Sequence, residues 1–156
     1  MISNVDFIYC TPKASFYVPF MQSFQSPEGG STLTFPEQFG TRMANEILML
    51  DRPISAVEAK KAGFINDLVP DDAFPSDSDF FDPNVVPAIP KLLATDYTTL
   101  VNCKEQMNLS KDLKTRNAVA LRENEALAAL YLQPGFIDKM KSYMKVVAAR
   151  SAKKKQ

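Results

Sequence analysis

The feature of this sequence that most constrains its fold is the shortage of segments that could form β-strands. Three short runs have the β-branched and aromatic composition of strands, residues 5–9, 15–20 and 64–69. All three lie in the first half of the 156-residue chain, whereas the apolar residues from 85 onward have helical spacing. So few strands cannot close a sheet by themselves. The layout therefore predicts an α/β or α+β chain that is rich in helix.

Helix signals extend through the remaining sequence. Residues 31–50 have helical spacing, with breaks expected at Pro36 and Gly40. Ser55 and Glu58 form a capping box, in which hydroxyl and carboxylate each accept a hydrogen bond from the other's backbone N–H. Further helices are predicted over residues 89–93, 96–107, 109–132 and 136–149.

An acidic segment, residues 71–84, separates a strand-containing part, residues 1–70, from a helical part, residues 85–156. It holds five aspartates, two prolines and no basic residue, so it is predicted to be an exposed loop. It lacks the glycine and the distal glutamate of an EF-hand. No metal site is therefore predicted at its closely spaced aspartates, Asp77, Asp79 and Asp82.

The overall charge argues against a polyanionic partner. Eighteen basic residues balance eighteen acidic ones, so no nucleic-acid partner is expected. No apolar run approaches the roughly 18 residues that span a bilayer, so no membrane partner is expected either. Residues 139–155 carry seven basic and no acidic residues. This tail is either a solvated helix face or a contact for a phosphate-bearing ligand.

The absence of histidine narrows the chemistry further. Ser-His-Asp and Cys-His systems, HExxH zinc sites and histidine-ligated haem are all excluded for this chain. Its two cysteines, Cys10 and Cys103, are far apart and match neither a disulfide framework nor a zinc site. Acid–base catalysis by this chain would therefore need carboxylates, Tyr, Lys or Cys.

One loop concentrates residues that could carry chemistry. Glu28 lies between the rigid Pro27 and the flexible pair Gly29 and Gly30. Glycines let the backbone adopt positive φ and approach a ligand closely, and the following helix would direct its N-terminal N–H groups toward the same place. The alternative is a plain surface turn in which Ser31 or Thr32 caps that helix.

Two stretches resemble the crotonase superfamily, the enoyl-CoA hydratase/isomerase fold. They are ASFYVPFMQSFQSPEGGSTLTFPEQFG, residues 14–40, and ISAVEAKKAGFINDLVP, residues 54–70. The second resembles the helix–Gly–strand unit that hydratases and isomerases of this family share. The resemblance implies an α/β fold: the C-terminal part of a crotonase-like ββα spiral followed by the family's helical C-terminal region.

The first stretch bears on the reaction type. Family hydratases use two glutamates, one of which follows a proline on the strand, whereas Phe20 follows Pro19 here. The Glu-Gly-Gly loop resembles that of peroxisomal-type Δ3,Δ2-enoyl-CoA isomerases, in which one glutamate moves the proton. Glu28 is then the catalytic base in a partly desolvated setting, and Gly29, Gly30, Phe20 and Phe24 are substrate-binding candidates. An apolar wall around the base, or else ordinary core packing, is expected from Phe16, Tyr17, Phe20, Met21 and Phe24.

The resemblance also implies that the chain corresponds to the C-terminal half of an isomerase. The oxyanion hole, two backbone N–H groups that stabilise the thioester enolate, then belongs to the family's first half. An incomplete coding sequence, a truncated product and a subunit that needs a partner half are the competing explanations. Apolar faces of residues 5–9 and 15–20 would be exposed, so the isolated chain is expected to fold poorly or to associate.

Other expectations follow from the resemblance. They are an acyl-CoA substrate with no separate cofactor, a trimer or hexamer of identical chains, and a peroxisomal location. The C-terminal Lys154-Lys155-Gln156 does not match a Ser-Lys-Leu signal, so the location depends on the family alone. A non-catalytic relative that only binds acyl-CoA or forms oligomers, and a crotonase-type enzyme with another reaction such as hydration, remain the alternatives.

Overall fold

The computed structural model describes residues 5–73, 83–109 and 111–153. The described strands, in chain order, are β1 (Tyr9–Cys10), β2 (Ser15–Phe16), β3 (Ile54–Ser55) and β4 (Asp67–Leu68). The described α-helices are α1 (Ser31–Phe39), α2 (Thr41–Leu50), α3 (Ala56–Lys61), α4 (Ala88–Leu93), α5 (Tyr97–Leu109), α6 (Leu113–Tyr131) and α7 (Phe136–Lys153). This α/β content, poor in strand and rich in helix, agrees with the sequence prediction.

The chain forms two compact units. The first comprises the residues up to Phe16 together with Ile54–Thr115, and the second comprises Tyr17–Pro53 together with the residues from Arg116 onward. The first unit therefore holds all four described strands, and the second holds α1, α2, α7 and most of α6.

The strands of the first unit make two separate two-stranded sheets. β1 pairs in parallel with β4, and β2 pairs antiparallel with β3. The predicted strands over residues 15–20 and 64–69 contain β2 and β4 but are too long, whereas the predicted strand over residues 5–9 overlaps β1 at Tyr9 alone and is wrong for the residues before it. Residues 15–20 form strand only to Phe16, because a turn follows at Pro19, whose carbonyl accepts a hydrogen bond from the Ser23 N–H at 2.9 Å.

Local signals fix α3 within this unit. The predicted capping box is confirmed: Ser55 Oγ accepts from the Glu58 N–H at 3.2 Å, and Glu58 Oε2 accepts from the Ser55 N–H at 3.0 Å. The helix ends before Gly63, which has φ 75°. The ring of Phe64 packs edge-on against Phe16 at 5.3 Å between centroids. Buried apolar residues of this unit are Ile54, Ala56, Ala59, Phe64, Ile65, Val69 and Val86.

In the second unit, α1 and α2 meet at Gly40 as predicted, where φ is 74°. The predicted break at Pro36 is wrong, since α1 continues through it to Phe39. A proline removes one helical hydrogen bond, and the buried Phe35, whose ring packs against Phe39 at 5.6 Å, offsets that loss. The buried apolar residues of this unit are Phe20, Phe35, Ala44, Ile47, Leu48, Leu127 and Phe136.

The prediction of no metal site at Asp77, Asp79 and Asp82 falls on residues outside those that the structure describes. The C-terminal residues 154–156, which were compared with a targeting signal, also lie outside them. Within the described ranges, no helix is both long and apolar enough to cross a bilayer. The same ranges contain no group of three His, Cys, Asp or Glu side chains that could hold a metal ion.

Candidate active site

The Glu-Gly-Gly loop forms a tight turn at the start of α1. The Ser31 N–H donates to the Glu28 carbonyl at 3.3 Å, which closes a four-residue turn. Both central residues have positive φ, 67° at Gly29 and 78° at Gly30. Side chains are disfavoured in that conformation, so the two glycines are needed for the backbone geometry that the sequence suggested.

A buried glutamate from α6 completes the N-terminus of α1. Glu123 is only 5% exposed, and its Oε2 accepts from the Gly30 N–H at 2.6 Å. Its Oε1 accepts from the Thr32 N–H at 2.9 Å and from Thr32 Oγ1 at 2.6 Å. The alternative in which Ser31 or Thr32 caps the helix is wrong: Gly30 is the N-cap residue and has no side chain to offer. Glu123 supplies the missing acceptor and the negative charge that a helix N-terminus favours.

The Glu28 carboxylate itself projects from this braced turn. Glu28 is exposed, and no described residue forms a hydrogen bond or ion pair with its carboxylate. The predicted apolar wall within the second unit is uneven. Phe20 is buried at 7% exposure, whereas Tyr17, Met21 and Phe24 are each more than 40% exposed. The second unit thus presents a carboxylate that is available to a ligand.

A cavity of about 400 Å³ lies in the second unit beside this loop. Its walls come from the segment that leads into Glu28 and from the α6–α7 connection. The Gln25 side-chain amide donates to the Tyr131 hydroxyl at 3.1 Å and ties these two walls together. Of the site residues predicted from the sequence, Phe24 lines the cavity, whereas Phe20, Glu28, Gly29 and Gly30 do not. The lining residues are Met21, Phe24, Gln25, Ser26, Pro27, Leu130, Gln133, Pro134, Phe136 and Lys139.

Phe24 has an unusual conformation within this cavity wall. Its φ is 57°, a left-handed value that is a genuine outlier for a bulky residue, and its side chain is 42% exposed. Lys139 Nζ lies 5.8 Å from the centre of the Phe24 ring, within cation–π range. A strained backbone and a partly exposed ring are not features of ordinary core packing, so Phe24 stays a substrate-binding candidate.

Asp51 holds the same segment from the other side. This buried carboxylate accepts from the Met21 N–H at 3.0 Å and from the Gln22 N–H at 2.7 Å. Nearby, burial raises the pKa of the Tyr17 hydroxyl, with Asp51 adding to the effect and Arg150 opposing it. Asp51 thus fixes the backbone before Glu28, at Met21 and Gln22, and Glu123 fixes the backbone after it, at Gly30 and Thr32.

Sequence reasoning missed both of these anchoring carboxylates. A signal for Glu123 was present, since it lies four residues before the buried Leu127 on the same face of α6. A carboxylate on a buried stripe needs partners. Asp51 had only a weaker signal, its position at the end of α2 before Pro53.

Comparison with known proteins places the chain in a family. The enoyl-CoA hydratase/isomerase family profile matches residues 1–130. This chain therefore belongs to the enoyl-CoA hydratase/isomerase family, the crotonase superfamily that its sequence resembled.

Individual relatives match parts of the chain. Enoyl-CoA delta isomerase 2 of Homo sapiens is 35% identical over 74 residues, which are 47% of this chain and 19% of that protein. Testis-specific chromodomain protein Y 2 of Homo sapiens is 28% identical over 141 residues, 89% of this chain and 24% of that protein. The chain thus spans about a fifth to a quarter of the curated relatives that it matches.

Solved structures agree on the fold. An enoyl-CoA hydratase/isomerase from Pseudoalteromonas atlantica superposes with a TM-score of 0.77 at 19% identity, covering 92% of this chain and 55% of that one. A protein described as a putative enoyl-CoA hydratase/carnithine racemase from Magnetospirillum magneticum gives a TM-score of 0.60 at 28% identity, covering 92% and 53%. The described fold is crotonase-like and spans about half of these structures.

Proposed function

We propose that this protein is a Δ3,Δ2-enoyl-CoA isomerase of fatty-acid β-oxidation in which Glu28 is the proton shuttle. The observation that carries the proposal is the Glu28 turn itself, in which an exposed carboxylate precedes two positive-φ glycines. The residue before it, Pro27, lines the cavity. The named isomerases among the relatives support the isomerase over other family reactions.

The proposed chemistry needs one carboxylate. Glu28 takes a proton from C2 of the 3-enoyl thioester, the double bond moves from C3–C4 to C2–C3, and the same proton is returned to C4. No water is added and no atom is lost, so no second base is required. Hydration would use a carboxylate after Pro19, where this chain has Phe20. The enolate that forms is stabilised by two N–H donors, which the family resemblance assigns to the first half of the fold.

The cavity supports an acyl-CoA as the substrate. Its wall combines apolar side chains with the cation Lys139, and it includes Pro27, the residue that precedes Glu28. An acyl-CoA has a matching combination of apolar chain and phosphates. We assign Lys139 as the residue of the basic tail that contacts the CoA portion, because it lines the cavity and is held over Phe24. The substrate itself carries the coenzyme, and no further cofactor is part of the proposal.

A second candidate is a non-catalytic acyl-CoA binder. One observation favours it: the alignment with testis-specific chromodomain protein Y 2, whose name states no reaction, spans 141 residues, whereas the alignment with enoyl-CoA delta isomerase 2 spans 74. Such a protein would retain the cavity and Lys139 without needing a base at position 28. The two candidates differ in whether a bound 3-enoyl-CoA is converted.

The oligomeric state and location also belong to this proposal. Homo-trimers or hexamers are proposed from the family resemblance, and strongly exposed apolar side chains such as Leu93, Leu109 and Leu132 support association. A peroxisomal location is supported by a Mus musculus relative named enoyl-CoA delta isomerase 3, peroxisomal, which is 32% identical over 74 residues.

The test of the proposed function compares three readouts on the purified protein, mixed with a polypeptide that supplies the first half of the fold and its two N–H donors. With a 3-enoyl-CoA, formation of the conjugated 2-enoyl thioester is measured. With a 2-enoyl-CoA, hydration is measured. The binding of each compound is measured separately. Conjugation without hydration is expected. Binding without conversion would replace the isomerase with the non-catalytic binder, and hydration alone would replace it with a hydratase.

A further inference from the structure

The start of α1 depends on a side chain from a distant helix. Most helices are capped by a Ser, Thr, Asp or Asn at the N-cap position. Here the N-cap residue Gly30 has φ 78°, where such side chains are rarely accommodated. Glu123 of α6 takes their place, with its two oxygens accepting from Gly30 and Thr32 at 2.6–2.9 Å.

These contacts enclose the turn that carries Glu28. Gly30 and Thr32 flank Ser31, and the Ser31 N–H is the donor to the Glu28 carbonyl at 3.3 Å. Fixing the amides on both sides of Ser31 therefore fixes the direction of the Ser31 N–H and, through it, the backbone of Glu28. The contact between Glu123 and the proposed base is thus indirect and runs through the turn.

Helix docking alone does not account for this arrangement. An ion pair also joins α6 to α1, between the Arg116 guanidinium and Glu37 Oε2 at 3.1 Å. It lies toward the other end of α1 and is partly exposed. Glu123, by contrast, is a buried carboxylate, and burying a charge costs free energy unless its partners are well placed. All its partners in the described chain belong to the turn–helix junction beside Glu28.

We infer that Glu123 is a positioning residue for the reaction, which holds the Glu28 turn in its productive geometry without touching the substrate. This inference rests on the proposed function of Glu28. Small displacements of a catalytic group can cost up to about 100-fold in rate. Loss of the Glu123 carboxylate should therefore lower kcat more than it raises KM.

The experiment compares Glu123→Gln with two matched controls. Gln keeps the shape and one acceptor oxygen but places an amide N–H₂ against backbone donors. Glu125→Gln makes the same change two residues away, at an exposed position of α6. Arg116→Gln removes the ion pair between α6 and α1. Steady-state kinetics with a 3-enoyl-CoA, thermal melting and amide hydrogen exchange over residues 28–34 are measured on each variant.

The expected result for Glu123→Gln is a kcat about 10- to 100-fold lower, KM within about threefold, and faster exchange at Gly30 and Thr32. Both controls should match the wild type in kcat and in exchange at this turn. Thr32→Ala, which removes the Oγ1 contact, should lower kcat in the wild type and have little further effect in Glu123→Gln, because both act through one turn.

Two results would overturn the inference. Unchanged exchange at Gly30 in Glu123→Gln would show that the carboxylate does not hold the turn. Wild-type kcat despite faster exchange would show that the held geometry is not needed. If the wild-type protein, supplied with the first half of the fold, converts no 3-enoyl-CoA, the proposed function fails and with it the positioning role of Glu123 in turnover. The exchange data still decide whether Glu123 anchors the turn.

Discussion

Asp51 Oδ2 accepts a hydrogen bond from the Gln22 N–H at 2.7 Å and thereby fixes the start of the segment that leads to Glu28. Asp51 itself has φ 52° at the end of α2, a conformation that Asp and Asn tolerate better than other residues. Its second oxygen accepts from the Met21 N–H at 3.0 Å. Asp51 thus ends a helix with its backbone and organises the neighbouring loop with its side chain.

Replacing Asp51 with Asn should therefore destabilise the protein. Asn keeps the left-handed backbone but cannot accept both N–H groups with a charged oxygen, and hydrogen bonds to charged groups contribute about 1.5–3 kcal/mol. We expect the free energy of unfolding in urea to fall by about that amount. Glu46→Gln, which alters a partly exposed ion pair between α2 and Arg52 just beyond its end, is the control. An Asn variant as stable as the wild type would refute the anchoring role of Asp51.

Gly30 should tolerate little substitution. A Cβ at this position would have no atom within 4 Å, so the cost is backbone strain rather than crowding. Left-handed φ costs a non-glycine residue about 1–2 kcal/mol, and we expect Gly30→Ala to lower the free energy of unfolding by that amount. Gly30→Asn should cost less, because Asn adopts this region more readily. Equal stability of the Ala variant and the wild type in thermal melts would contradict the assigned geometry.

The pH dependence of stability should report on β4. The Asp67 carboxylate accepts from the Leu68 N–H at 2.8 Å and lies 3.1 Å from Lys60 Nζ. The backbone hydrogen bond, followed by Lys60, holds the pKa of Asp67 below its usual value. A carboxyl with a lowered folded pKa stabilises the protein above its unfolded pKa, and this stabilisation is lost as pH falls through the folded pKa.

Between about pH 6 and pH 3, the melting temperature of the wild type should thus fall further than that of Asp67→Asn, because the Asn side chain cannot take up a proton at this site. Thermal melts of the two proteins at matched ionic strength provide the measurement. Parallel pH profiles for the two proteins would show that these contacts do not favour the charged form of Asp67.

Lys139 should affect substrate binding rather than turnover. Lys139→Met keeps an unbranched side chain over Phe24 and removes the charge, so an acyl-CoA should bind about two- to fivefold more weakly, as expected for an exposed charge pair. The difference should shrink at high salt. Lys145→Met, on the same helix but away from the cavity, is the matched control. Equal affinities for both variants and the wild type, measured by calorimetry, would remove Lys139 from the CoA site.

The sequence predicted those parts of the fold that local signals determine. The Ser55–Glu58 capping box lies where its pattern placed it, and α7 begins at Phe136 directly after Gln133-Pro134-Gly135. The strand pairings were not predictable in this way. β1 pairs with β4, and the two-residue β3 is too short to have a periodic pattern. Pairing over long sequence separations depends on tertiary packing that no local window contains.

The candidate site was predictable to a similar extent. Glu28 and its glycines stand next to each other in the sequence, so their turn could be predicted from residue type alone. Glu123 reaches the turn from a helix more than ninety positions later. A single glutamate in a helix is usually solvent-facing, and only its position one turn before the buried Leu127 distinguishes it.

The most direct test of the proposed mechanism is the rate of 3-enoyl-CoA conjugation by Glu28→Gln beside the wild type and the Glu125→Gln control. Gln keeps the size of the side chain and removes the base, and a general base contributes about 10²- to 10⁴-fold. We expect a loss of that size in Glu28→Gln with no change in its melting temperature, and wild-type turnover in Glu125→Gln. Conjugation at the wild-type rate in Glu28→Gln would contradict the proposed mechanism, as would no conjugation by the folded wild-type protein when the first half of the fold is supplied.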